Sequence, residues 1–357
     1  MGYEVHYAAN GNTRVYKTDE TVKKNSGVIF HHVDISKSPK DISRNLKAKN
    51  ELVGLIRSLG IDLIHCHTPV GGMLGRLAGN ACRDMGVKVI YTTHGFHYYE
   101  GAPAHYKIFD IVERRLAGYS DTIITINSED LKRAQSYRLR PGGKVYMIPG
   151  EGTDISRFSN INKASVRQKM RERLNLGEDD FFLLSVGELS ANKNHKTVLE
   201  AVARIKDRRV KYGICGSGPL KNELREMISR SGLNGRVKLF GYRSNVDEFL
   251  CAADAFAFPS VREGLGMAAI EALASGLPVI ASDNRGTREY MRDGENGYVC
   301  PADSPAMFEK SIVKVRNMQY EERKKTESFC KDSVKRFDVQ NVRPLMEKIY
   351  KEIDERL

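Results

Sequence analysis

Two doubly wound α/β domains are what this sequence predicts, and three observations carry the prediction. The chain has 357 residues, more than one ordinary hydrophobic core organises and a comfortable length for two. Short β-rich runs alternate with longer helical ones almost from end to end, the mark of mainly parallel sheets covered by helices. Near Pro149-Gly150-Glu151-Gly152-Thr153-Asp154 that rhythm breaks. Glycines on both sides of Glu151 read as a turn or hinge, after which the alternation restarts.

In the first half the predicted strands are Glu4–Ala8, Val28–Val33, Leu63–Cys66, Lys88–Thr92, Thr122–Ile126 and Val145–Ile148. Asp41–Leu59 reads as a helix, because Ile42, Leu46, Leu52, Val53 and Ile56 recur at helical spacing. Lys40, Arg44, Lys47 and Lys49 make it basic; a solvated outer face is preferred over a lipid-touching one. In the second half the strands are Phe182–Val186, Val210–Cys215, Val237–Phe240, Ala255–Phe258, Pro278–Ala281 and Gly297–Cys300. Helices are expected over Lys196–Ile205 and Pro219–Arg230, and one begins at Pro305 with Ser304 as its N-cap. The domains are then residues 1–153 and 154–335. A closing helix over 336–357 is expected to pack back on the first domain.

Composition narrows the class. Apolar residues make up 41% and charged ones 29%, the balance of a globular chain, and no window approaches the ~18 apolar residues of a membrane span. The first residues show no basic segment followed by an apolar one, so a cytoplasmic chain, at most at the inner face of the cell membrane, is expected. Cys66, Cys82, Cys215, Cys251, Cys300 and Cys330 are scattered, without disulfide or zinc spacing. The net charge of +12 is evenly spread: residues 1–160 hold 22 basic and 16 acidic residues, the remainder 35 and 29. That excludes a nucleic-acid footprint and suits an anionic substrate or peripheral contact with an anionic membrane.

The most informative stretch runs from Pro259 to Ile280. It leaves a strand, crosses a loop with Gly264 and Gly266, enters a helix near Met267 and stops at Gly276, a natural C′ residue. Ligands collect at the carboxyl ends of strands in open α/β sheets. Free amides and the positive helix end make a seat for a diphosphate there. Glu263 and Glu271, with seven residues between them, bracket that seat. Met267 to Glu271 rises about 6 Å. The two carboxylates can therefore grip hydroxyl-bearing groups on either side, a sugar and a ribose.

Glu263 through Glu271, continued by Ala272-x-Ala274-x-Gly276-x-Pro278-Val279-Ile280-Ala281-Ser282, resembles the E-x7-E signature of the retaining family 4 glycosyltransferases with the GT-B fold. The likeness covers essentially the whole chain. It includes Asp62 through Pro69, Thr93-His94-Gly95-Phe96-His97, Ile148 through Asp154, Val186-Gly187-Glu188-Leu189 through Lys193, and Gly216-x-Gly218-Pro219. It is nearest to bacterial capsular and exopolysaccharide glycosyltransferases. The resemblance implies two Rossmann-like domains facing across a cleft. Glu271 would hold the donor ribose and Glu263 the donor sugar. Gly264, Leu265, Gly266 and Met267 would hold sugar and diphosphate, and Lys193 would neutralise the leaving diphosphate. Gly187, Glu188, Gly216 and Gly218 would line the donor site, Arg243 would lie near the base, and His94 would reach the sugar from the first domain. Retention by a front-face path, without metal or other cofactor, is implied as well. The acceptor would be a saccharide or a polyprenyl-linked saccharide.

Two departures accompany the resemblance. Glu188 stands where the family commonly has arginine, which puts the phosphate contacts in question. Gly2–Ala9 matches the family's second strand, so the first domain is expected to be truncated by about one β-α unit. A natural start upstream, or poor folding and weak turnover at this length, would follow.

Other signals are set aside. His65 and His67 share a strand end, but no carboxylate or third histidine stands at a supporting spacing for a metal. Lys221 occupies the third glycine position after Gly216 and Gly218, so a dinucleotide fingerprint fails. For that pair, close ligand approach and a plain tight turn both remain open. Two competing functions are a nucleotide-sugar 2-epimerase, which would need acid/base carboxylates from the first domain, and a non-catalytic nucleotide-sugar-binding relative.

Overall fold

The computed structural model describes residues 2–11, 26–159 and 163–355. The chain divides into two compact units, one of Met1–Ile148 with Pro344–Leu357 and the other of Pro149–Arg343.

In the first unit, β1 (His6–Ala9) and β2 (Ile29–His32) precede helix α1 (Ile42–Leu59), β3 (Leu63–His67) and helix α2 (Pro69–Ala81). Then come β4 (Lys88–Thr92), α3 (Lys107–Ala117), β5 (Thr122–Thr125), α4 (Ser128–Ala134) and β6 (Lys144–Met147). Among the described residues all strand pairings of this unit are parallel, but the strands lie in two separate sheets, β1-β2 and β3-β4-β5-β6. Helix α1 stops where a helix should, at Gly60 (φ 62°), whose N–H donates to Ile56. Helix α2 is less obvious because it holds four glycines. Three of them let it lie against the sheet: a Cβ at Gly72, Gly75 or Gly79 would come within 2.3–2.7 Å of Tyr91, Cys66 or Val89.

The second unit holds α5 (Lys163–Leu174), β7 (Phe181–Val186), α6 (His195–Arg204), β8 (Val210–Cys215), α7 (Lys221–Arg230) and β9 (Val237–Gly241). These are followed by α8 (Val246–Ala252), β10 (Ala255–Phe258), α9 (Met267–Ala274), β11 (Val279–Ser282), β12 (Gly297–Cys300), α10 (Pro305–Arg316) and α11 (Tyr320–Val334). Its six strands form one parallel sheet in the order β12-β11-β10-β7-β8-β9. Counted from β7 this is the doubly wound order 3-2-1-4-5-6, with its switch point between β7 and β10. Strands β10 and β11 are buried along their whole length, as expected where helices cover both faces. Leu183, Val198, Val202, Tyr212, Ile280 and Phe308 belong to one core cluster. Ser304 caps α10 as its sequence predicts, its Oγ accepting from Met307 N–H at 3.4 Å behind Pro305. Gly276 (φ 78°) ends α9 as predicted.

A last helix, α12 (Val339–Asp354), contains the boundary at Pro344. Its closing turns are pinned to first-unit strands: the Tyr350 hydroxyl lies 2.6 Å from His65 Nδ1, and Glu352 accepts from Lys144 at 2.8 Å and Tyr146 at 2.5 Å. All six cysteines are buried, and none takes part in a disulfide. Among the described residues, no helix is long and apolar enough to cross a membrane.

Candidate active site

The carboxyl ends of β7 and β10 adjoin, because those strands pair directly through Leu183–Ala255 and Leu184–Phe256. The loops leaving them are stitched together. Val261 N–H donates to Asn192 O at 2.8 Å, Asn192 Nδ2 to Arg262 O at 2.9 Å, and Asn194 Nδ2 to Pro259 O at 3.2 Å. Lys193 sits between those two asparagines, and its Nζ donates to Glu263 Oε1 at 2.5 Å. The pair is largely withdrawn from solvent, with side chains 24% and 13% exposed. A cation and a carboxylate seventy positions apart in sequence are thereby fixed at one sheet edge.

The backbone beyond Glu263 is held as firmly. Arg285 Nε donates to Glu263 O at 3.3 Å, and Asn284 Nδ2 to Ser260 O at 3.0 Å. Gly266 adopts φ 94°, and a Cβ there would meet the Phe258 ring at 2.7 Å and the Tyr290 hydroxyl at 2.9 Å. That hydroxyl is buried and lies 3.5 Å from Gly266 O, as donor. Burial first, and then the charge of Glu263, keep it protonated far up the pH scale. The turn delivers the chain into α9, whose first amides lack intrahelical acceptors. Gly264, Leu265, Gly266 and Met267 therefore form one fixed loop-to-helix entry.

Glu271 stands in the second turn of α9 in a different electrical setting. Burial raises its pKa, Arg157 pulls it down and Asp247 pushes it up. Arg157 and Asp247 are themselves 3.4 Å apart. Glu263 is thus neutralised by a direct cation, whereas Glu271 is a partly buried acid.

Gly187 follows β7 directly, its N–H donating to Cys215 O at 2.9 Å, and Glu188 continues into solvent. A Cβ at Gly216 would come within 1.8 Å of Gly187 O, and one at Gly218 within 2.5 Å of Leu189 O. Both glycines are therefore demanded by backbone packing between the loops after β7 and β8. Gly216 N–H also donates to Gly241 O at 2.8 Å. That contact brings exposed Arg243, two residues past β9, to the same edge of the sheet. Every predicted second-unit site residue thus lies at the carboxyl ends of β7, β8, β9 and β10 or in the opening turns of α9.

His94 belongs to the first unit and follows β4. Its Nε2 lies 3.1 Å from His67 Nδ1, and the two rings stack at 5.3 Å. The His67 ring is in turn 4.3 Å from that of His65. His65 is bound on both nitrogens, by Tyr350 and by Thr92 Oγ1 at 2.7 Å. Burial, followed by the neighbouring imidazoles, lowers its pKa to about 3, so it stays neutral near pH 7. No third histidine stands at a supporting spacing in sequence, but tertiary folding brings His94 against His67 from the next strand end.

Sequence reasoning also missed Arg285, Tyr290 and Arg157. For the first, the signal is Asp283-Asn284-Arg285-Gly286 directly after strand β11, a polar, glycine-bearing strand end.

Comparison with known proteins follows the same division. Residues 1–156 match the profile described as Glycosyltransferase Family 4, and residues 166–331 that of Glycosyl transferases group 1. The chain is 39% identical over 315 residues to the putative glycosyltransferase EpsD of Bacillus subtilis, covering 87% of this chain and 80% of that protein. It is 28% identical over 280 residues to the UDP-Gal:alpha-D-GlcNAc-diphosphoundecaprenol alpha-1,3-galactosyltransferase of Escherichia coli, covering 76% and 70%. Among solved structures, Anabaena HepE in complex with UDP-glucose superposes with a TM-score of 0.79 at 20% identity, over 93% of this chain and 88% of that one. A likeness of this degree shows a shared fold, the pair of Rossmann-like domains of the GT-B plan.

Proposed function

The chain belongs to the glycosyltransferases, enzymes that move a sugar from a nucleotide-diphosphate sugar to an acceptor, and from that premise we propose how its second unit holds the donor. The diphosphate sits over the entry to α9, on the amides of Gly266 and Met267. Glu271 accepts hydrogen bonds from the ribose hydroxyls, and Glu263 from hydroxyls of the sugar. Lys193 faces the diphosphate and stabilises the charge that grows as the glycosidic bond breaks. The Lys193–Glu263 pair carries this reading: an ammonium has three donors, so it can keep its carboxylate partner and still serve a phosphate oxygen. Arg243 lies towards the base, and His94 serves the sugar from the first unit.

In this reading the reaction needs no metal, because Lys193 and the helix entry supply the positive charge. The anomeric configuration is retained, with the leaving phosphate assisting the acceptor hydroxyl on the same face. The acceptor is a saccharide, in its fullest form a polyprenyl-diphosphate saccharide like the one the E. coli relative is named for, and the setting is surface polysaccharide synthesis. Release of nucleoside diphosphate from a panel of donors, with and without lipid-linked acceptor, tests this. Product anomers read by NMR test retention, and turnover in EDTA tests the absence of metal. Inverted product, or activity abolished by chelation and restored by a divalent ion, would overturn those parts.

A further inference from the structure

We propose that His67 is a positioning residue, holding the His94 imidazole in one orientation and one tautomer for the transfer step. The proposal rests on the reading that His94 serves the sugar. Strand register brings the residues together. His65 and His67 are two positions apart in β3 and share one face of the sheet. Thr92 lies opposite His67 on the neighbouring parallel strand, and His94 follows two positions later. Three imidazoles are thereby stepped along one side of two strand ends.

Each step has its own contact. His65 is the anchored base of the row, fixed by Tyr350 and Thr92 hydroxyls on its two nitrogens. The His67 ring lies against it, centroid to centroid at 4.3 Å. At the outer end the His67 and His94 rings are 24° from parallel, with His67 Nδ1 3.1 Å from His94 Nε2. Between two neutral imidazoles such a contact needs one nitrogen to donate and the other to accept. It therefore couples the tautomers of the two rings, since the bond one nitrogen makes decides which nitrogen carries the proton. Without it, the His94 ring could turn over and exchange its nitrogens. A group that acts on a substrate hydroxyl works only with the correct nitrogen presented.

The backbone is strained where it holds His67. Thr68, the next residue, has φ 63° and ψ 159°. Among the described residues, the other non-glycine residues with positive φ are Asn175 and Asn194, a residue type that tolerates it. A β-branched threonine does not, and this pair of angles belongs almost only to glycine. Pro69 forces the extended ψ from behind, and Thr68 Oγ1 accepts from Gly71 N–H at 3.2 Å to cap α2. One strained residue thus turns the chain from β3 into α2 and leaves His67 in register opposite Thr92. Strain of this kind collects at positions that function demands.

The test follows release of UDP from UDP-glucose, or of the diphosphate from whichever donor the panel selects, in His67 variants with and without His94→Ala. His67→Ala should slow transfer about threefold to tenfold, the worth of one hydrogen bond, with nucleotide affinity in calorimetry intact. The amide of asparagine sits where Nδ1 stood, so His67→Asn should recover most of the rate. Glutamine places its amide where Nε2 stood, so His67→Gln should not. Adding His67→Ala to His94→Ala should slow transfer no further, because no ring is left to orient. Melting temperatures separate the alternatives, since under a merely structural role the rate would follow stability across the series. The proposal is overturned if His67→Ala transfers at full rate, if asparagine and glutamine behave alike, or if the two alanine substitutions slow transfer independently. Full rate in His94→Ala alone would remove the reading of His94, and this proposal with it, while leaving the Lys193–Glu263 site standing.

Discussion

The second unit closes its six strands into one sheet, while the first unit's strands lie in two pieces. Exposure follows the same division. Strands β10 and β11 are buried throughout, whereas Tyr7 and Phe30 of β1 and β2 pack edge-on at 5.5 Å and still face solvent at 53% and 37%. Polar chemistry differs likewise. The second unit fixes charge with backbone-clamped loops around Lys193 and Glu263, and the first strings together imidazoles that hold one another. On the proposed reading, the backbone-clamped edge of the second unit suits a ligand that hardly varies, a nucleoside diphosphate.

Substitutions can break that contrast. The largest effect is expected for Lys193→Ala, which should slow turnover about 100- to 1000-fold by removing a positioned cation. It should also lower the melting temperature, because Glu263 is left partly buried and unpaired. Next comes Glu271→Ala, expected to weaken nucleoside diphosphate binding in calorimetry about 10- to 100-fold through the loss of charged hydrogen bonds. Glu263→Ala should spare that binding and harm transfer. His94→Ala should slow transfer about tenfold with nucleotide affinity intact, in the range expected of a group acting on the reacting atoms. Were His94→Ala to weaken nucleotide binding instead, the assignment of separate tasks to the two units would fall.

Smaller effects sharpen the comparison. Glu188→Arg should tighten nucleoside diphosphate binding about threefold to fivefold, the worth of one exposed charge. The raised pKa of Glu271 sets a pH dependence. Its ionised form accepts from hydroxyls, so nucleotide affinity should fall with falling pH, starting higher than for an ordinary glutamate, and Glu271→Gln should flatten that profile. Stability runs the other way at this residue. The folded state holds the proton more tightly than the unfolded chain, so stability contributed by the neutral acid is lost as pH rises through its range. Glu271→Gln should therefore melt slightly higher at neutral pH. His65 acts oppositely, since its folded pKa of about 3 lies below the ordinary 6.5. The stability it contributes is complete above pH 6.5 and is lost as the pH falls towards 3.

Strands were the most legible part of this sequence. Lys88–Thr92, Val210–Cys215, Ala255–Phe258 and Gly297–Cys300 stand as predicted, because strands covered on both faces read as continuous apolar runs. Helix α2 was hidden by the glycines that seat it against Tyr91. The donor loop was legible because its turn, helix start and glycine stop are adjacent in sequence. Whatever joins distant positions was not: the Lys193–Glu263 bond, Arg157 near Glu271, and the meeting of His94 with His67 depend on strand order. The division of the first unit's sheet has no signature in any single strand.

Tyr350, Glu352 and Asp354 in the closing turns of α12 hold His65, Tyr146 and Tyr3 of the first unit. Synthesis meets these regions in an awkward order. Domains usually fold in the sequence in which the ribosome releases them. Here Pro149–Arg343 is a continuous stretch that can finish while the chain is still being made, whereas the half translated first must wait for Pro344–Leu357 before its last ties can close.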